Sequence, residues 1–336
     1  MLPELTDLAD QVNLSPGEWI GIPIALVGAV ILSLGAHYQH RGVGKVEASA
    51  VEASAAAASN VAAEVQAEVS KGGLSGKQLL ALISRPSWLI GTGLLGLAIL
   101  FQLTSIYFSP LIVVQPLGAI ALVVTAILTA RSTGIRLDSL SKRAIALCVG
   151  GIAMFVAITS FSAKSSAITE TQLITVLIIL GVVLVAFAVL YGMFRRNINP
   201  MFYIVGAGVL FGFVATLAKV VIGRIQTLFN VEFQTGQFEW LTLSCVIALL
   251  AASALGSYFV QSAYSKGPPD LVVAGLTVID PLVAITIAII VLGEARHMPI
   301  WAIPLVVLAG AIAVYGVFLL SKHHPQSQGA PVASAE

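Results

Sequence analysis

Val278-Ile-Asp280-Pro281-Leu-Val-Ala-Ile-Thr-Ile-Ala-Ile-Ile-Val-Leu-Gly-Glu294 is a long apolar segment with a carboxylate and a proline near its start. An earlier stretch echoes it: Val113-Val-Gln115-Pro116-Leu-Gly-Ala-Ile-Ala-Leu-Val-Val-Thr-Ala-Ile-Leu128. Runs of this length without strict alternation read as helices. A proline removes one intrahelical hydrogen bond and frees a backbone carbonyl, so each copy carries a built-in interruption. Two such segments, one in each half, imply a duplicated membrane domain. Asp280 is the only acidic residue well inside any apolar run.

The composition agrees with a bilayer setting. The chain has 336 residues, of which 58% are hydrophobic and 10% charged, and its mean hydropathy is +0.97. Soluble domains carry about 25% charge. The expected class is therefore all-α, a multi-pass protein of the cell membrane with the lipid bilayer as its solvent. A net charge of +1 offers no footprint for nucleic acid. Cys148 and Cys245 both lie in apolar runs and read as buried, inert thiols. The chain has no CxxC, clustered His, Gly-rich phosphate loop or GxSxG, so neither an enzyme nor a resident cofactor is expected. Gly91-Thr-Gly93-Leu-Leu-Gly96 mimics a dinucleotide fingerprint but opens a membrane span. The first apolar run follows Glu4, Asp7, Asp10 and Glu18 with no basic residue before it, and reads as a retained helix rather than a signal peptide.

A transmembrane helix needs about 20 mostly apolar residues. Nine stretches qualify: 18–36, 87–106, 111–130, 144–163, 172–194, 200–222, 241–262, 271–293 and 300–320. With the N-terminus outside, the inner loops hold 13 Lys and Arg and the outer loops hold Lys164, Arg224 and Arg296. That bias predicts N-out, C-in. Trp19, Trp88, Trp240 and Trp301 fall at span starts, where an aromatic belt would lie.

The expected organisation is an outer segment 1–17, a first repeat 18–163, a connector 164–199, a second repeat 200–320 and a disordered tail 321–336. The first repeat contains a cytosolic linker, 43–86, that is Ala-rich through residue 74 and favours helix. Aligned on Pro116 and Pro281, the halves share Phe101-Gln102 with Val260-Gln261, and Gly150-Gly151 with Gly310. Four spans, one connector span and four spans offset equivalent helices by an odd number, which inverts the second half.

The string Ala263-Tyr264, Asp280-Pro281-Leu and Leu292-Gly293-Glu294, followed by a Gly-rich last helix, resembles the EamA-type domains of the drug/metabolite transporter (DMT) superfamily. Gly35-Ala-His37-Tyr-Gln39-His40-Arg41-Gly42 and Tyr107-Phe-Ser-Pro-Leu-Ile-Val-Val-Gln-Pro116-Leu-Gly118-Ala119 resemble the NIPA-like magnesium transporter branch. The resemblance implies a secondary transporter, with Mg²⁺ as its substrate. In the first half, Thr129 stands where the second half has Glu294.

Charged groups at a helix centre cost about 2.5–3.5 kcal/mol on insertion scales, so they face a cavity or a partner. Asp280, beside Pro281, is the expected site for a cation or proton, and the candidate metal ligand. Lys219 reads three ways: snorkelling to the outer interface, pairing with Asp280, or binding substrate. Gln115 occupies the repeat position of Asp280, with Pro116 as the matching break. Gln102, Gln261, Tyr107 and Tyr264 are further candidates for a solute path. His37 and His40 read as interfacial. Gly208 with Gly212, and Ala252 with Gly256, read as close helix contacts. Three functions stay open: transport of Mg²⁺, H⁺-coupled movement of a small organic metabolite or drug, and a non-transporting accessory role.

Overall fold

A computed structural model describes residues 17–57, 86–134, 137–163, 168–194, 199–230, 240–267, 269–296 and 298–322. The expected outer segment before residue 17, most of the linker and the tail from residue 323 lie outside the described residues. Among those described, the chain is all-helical. A 3-10 turn, Glu18–Ile20, leads into α1 (Gly21–Ala57). Then come α2 (Pro86–Phe108), α3 (111–133), α4 (Ser139–Ser160), α5 (Glu170–Phe194), α6 (Pro200–Asn230), α7 (Trp240–Lys266), α8 (Pro269–Ile287) and α9 (Ala302–Lys322). Each is long and apolar enough, with its flanking turns, to cross a membrane.

α3 is built in three pieces: α-helix Leu111–Val114, 3-10 helix Gln115–Ala119 and α-helix Ile120–Thr133. Pro116 has no N–H for the Ile112 carbonyl, and the backbone tightens there. Pro281 behaves differently, because α8 runs through it as α-helix. The irregular winding comes later, as a π turn over Ala288–Leu292. The two prolines therefore do not produce matching breaks.

α1 continues well past its apolar stretch, to Ala57, because Ala and Glu favour helix without requiring burial. α1 packs on α2 and α3, α6 packs on α7 and α8, and α4 packs on α9. Small residues set these crossings. A Cβ on Gly91 would lie 2.8 Å from the Gly35 carbonyl, and one on Gly316 would lie 2.4 Å from the Cys148 nitrogen. The two expected small-residue contacts are present within the chain. Gly208 and Gly212 seat on Ile279 and Val283 of α8, and Gly256 faces Phe211 of α6. α6 is the most enclosed span and α5 the most exposed. Both cysteines are free and buried.

Candidate functional site

The turn between α2 and α3, Phe108-Ser109-Pro110-Leu111, leads into a fully enclosed helix start. Leu111, Ile112, Val113 and Val114 are each 0% exposed. A helix start buried this deeply must find partners for its first four amides. All four are accounted for. Val113 and Val114 donate to the Pro110 carbonyl at 3.1 and 3.2 Å. Leu111 donates to Glu294 Oε1 at 2.9 Å, and Ile112 to Glu294 Oε2 at 2.8 Å.

The end of α2 is met in the same way. Lys219 Nζ donates to the Ile106 and Ser109 carbonyls, both at 2.9 Å. Gln226 Nε2 donates to the Tyr107 carbonyl at 3.3 Å. An ammonium thus caps a helix C-terminus and a carboxylate caps the next helix N-terminus, the signs each helix dipole favours. On the side facing α1, Ser105 Oγ donates to the Gly21 carbonyl at 2.7 Å and Ser109 Oγ donates to the Glu18 carbonyl.

The geometry at Glu294 is produced locally. The π turn ends at Gly293, whose φ of 71° is left-handed. The Ala288 carbonyl accepts both the Gly293 and the Glu294 N–H. Gln172 Nε2 donates to the Val291 and Leu292 carbonyls, each at 3.1 Å, and so braces the turn from α5. Gln172 is itself fixed by a capping box. Its Oε1 accepts the Thr169 N–H at 2.8 Å, and its own N–H donates to Thr169 Oγ1 at 3.3 Å.

Lys219 is only 5% exposed. It neither snorkels to the surface nor pairs with Asp280, because its ammonium is directed to the α2 carbonyls. Glu294, expected at the edge of a span, is 2% exposed. Both of its oxygens are engaged by backbone amides, so it is not a free second ligand for a cation.

Asp280 stands apart from this corner. Its Oδ1 is buried and, among the described residues, has no hydrogen-bond partner. α6 lies directly on the backbone here: a Cβ on Gly212 would lie 3.0 Å from the Asp280 carbonyl oxygen. Gln115 is buried at the start of the 3-10 segment, and that segment touches α8. Ser33 Oγ donates to the Ala121 carbonyl at 2.7 Å, tying α1 to α3 just beyond it. Of the other candidates, Gln102 is half-buried, and Gln261, Tyr107 and Tyr264 are exposed. His37 is half-buried with its ring edge-on to Tyr38, and the His40 side chain lies outside the described residues. No group of three His, Cys, Asp or Glu side chains is placed to share a metal ion among the described residues.

Four residues of the corner were not singled out from the sequence: Ser105, Ser109, Gln172 and Gln226. A Thr-x-x-Gln pattern at Thr169 and a Ser-Pro turn at Ser109 were the available signals. The chain is similar to an uncharacterized protein of Corynebacterium glutamicum, 24% identical over 231 residues, covering 68% of this chain and 77% of that one. No family model and no solved structure matches the chain.

Proposed function

We propose that the chain is a secondary transporter of the DMT type, working by alternating access in the cell membrane with its N-terminus outside. The substrate or coupling cation meets the protein at Asp280, on the helix α8 that the 3-10 segment of α3 touches. The observation that carries this reading is the buried Asp280 Oδ1 with no partner among the described residues. Burying a carboxylate oxygen without a hydrogen bond is costly, so such a group is kept where a mobile partner completes it. The partner is positive: a proton, a metal ion or the ammonium group of a solute.

The helix pairings support a repeated architecture. α1 holds α2 and α3 as α6 holds α7 and α8, and α4 faces α9. Under an inverted 4+1+4 repeat, each first-half pairing maps onto its second-half counterpart, and α4 with α9 maps onto itself. The resemblance to NIPA-like proteins favours Mg²⁺ as the substrate. Because Glu294 is engaged by the α3 amides, Asp280 supplies the site's carboxylate alone. That suits a largely hydrated Mg²⁺ or an H⁺-coupled organic solute.

The test uses protein in liposomes holding a pH dye and a Mg²⁺ dye. Gradients of H⁺, Mg²⁺ and a panel of amines are imposed in turn. One gradient should drive a signal in the wild type. Asp280→Asn should reduce it at least tenfold, and Asp280→Glu should keep part of it. Wild-type flux and pH dependence in Asp280→Asn would remove Asp280 from the mechanism.

A further inference from the structure

We infer that Lys219 and Glu294 form a two-pronged latch that holds the α2–α3 end of the molecule shut. Opening that end would require both charged groups to release the corner. The inference rests on the transporter reading above, since an alternating-access protein must open each end in turn.

Three observations carry it. First, the grip crosses the chain. Lys219 on α6 reaches the Ile106 and Ser109 carbonyls, and Glu294 after α8 reaches the Leu111 and Ile112 amides. The two halves are thereby fastened at one corner from both sides. Second, the residues under the grip, Leu111 to Val114, are fully enclosed. They form the enclosed stretch that leads directly into Gln115 and the 3-10 segment.

Third, the fastening is polar in an otherwise apolar bundle. A permanent brace can be made from apolar packing, which often does as well as a buried charged pair. Charged groups bonded to backbone N–H and C=O can instead exchange those partners for water when the end opens. The carboxylate also sits immediately after a left-handed glycine and a π turn. Widened turns of that kind recur at functional sites.

The test is thiol accessibility in membrane fragments open at both faces, with a charged methanethiosulfonate reagent. The native Cys148 and Cys245 are buried and serve as the blank. Val114→Cys reports on the enclosed stretch. Ala263→Cys, equally buried near the C-terminus of α7, reports on general loosening. In the otherwise wild-type chain both should label slowly. Adding Glu294→Gln, or separately Lys219→Met, should speed labelling at position 114 at least tenfold. Labelling at 263 should stay unchanged, while the thermal midpoint falls by no more than the lost capping bonds cost. Unchanged labelling at 114 in both variants would overturn the latch. Faster labelling at both positions would also overturn it, by showing that the pair only braces the fold. Failure of the transporter reading would show elsewhere, as the absence of any flux in the wild type under every imposed gradient.

Discussion

At the scale of single residues, the corner depends on one glycine and one glutamine. Gly293 has φ 71°, and a Cβ there would lie 2.4 Å from Arg296 Nε. A left-handed conformation costs a non-glycine residue about 1–2 kcal/mol. Gly293→Ala should therefore lower stability by about that much and turn Glu294 away from the α3 amides. A fall of several degrees in the thermal midpoint would check it, and an unchanged midpoint would show that the turn is not held in this shape. Gln172→Ala should cost about 1–3 kcal/mol, because it strips donors from the Val291 and Leu292 carbonyls. Gln172→Glu keeps the acceptor for the Thr169 N–H but offers no donor. If it is as damaging as the alanine variant, the π-turn carbonyls are what matter. If it restores the midpoint, the capping box alone is the cause.

At the scale of elements, α6 on α8 is the contact that positions Asp280. Gly212 has no room for a side chain, since its Cβ would lie 2.7 Å from the Val283 Cβ. Gly212→Leu should force the helices apart and destabilise by about 1–3 kcal/mol. The measurement is the thermal midpoint; a value within a degree of wild type would mean the helices are not in close contact in the bilayer. Pro281 supplies the opposite kind of prediction. It lies inside a continuous helix and leaves the Thr277 carbonyl without its N–H donor. Pro281→Ala should raise the thermal midpoint while lowering flux, if the proline is kept for movement rather than stability. A lowered midpoint would show instead that the local backbone needs the proline. From the sequence, Pro281 promised an unwound stretch because proline usually interrupts a helix. Here it is accommodated in the α-helix, and the disturbance falls seven residues on, at the π turn. A turn that widens because Gln172 and Gly293 stabilise its end has no periodicity to betray it.

At the scale of the whole molecule, the spans were legible because about 20 apolar residues in a row leave few other options. The long-range pairings were not. Lys219 finds its carbonyls 113 and 110 residues away, and Glu294 finds its amides 183 and 182 residues away. A lone lysine two-thirds of the way along an apolar helix carries no mark of where its partners lie, so snorkelling and an ion pair both fit the string. Glu294 seemed an edge residue because its apolar run stops at Leu292, whereas the turn folds it back into the bundle. Orientation is a whole-molecule property. The bias of Lys and Arg predicts N-out, C-in. Green fluorescent protein fused after Glu336 should fluoresce, and alkaline phosphatase fused there should be inactive. The reverse pattern would invert the assignment, placing the corner on the opposite side of the membrane.

The distance between the corner and its fasteners bears on how the protein is made. The α2–α3 turn enters the membrane long before Lys219, and longer still before Glu294, leaves the ribosome. Until then at least two carbonyls and two amides of that turn lack their final partners, and lipid cannot replace them. The nascent first half must wait with this turn near water or in the insertion machinery. A ribosome stalled at residue 163 should therefore hold a first half that proteases cut near Ser109. Once the chain has grown past Glu294 and the second half has docked, the same bond should resist.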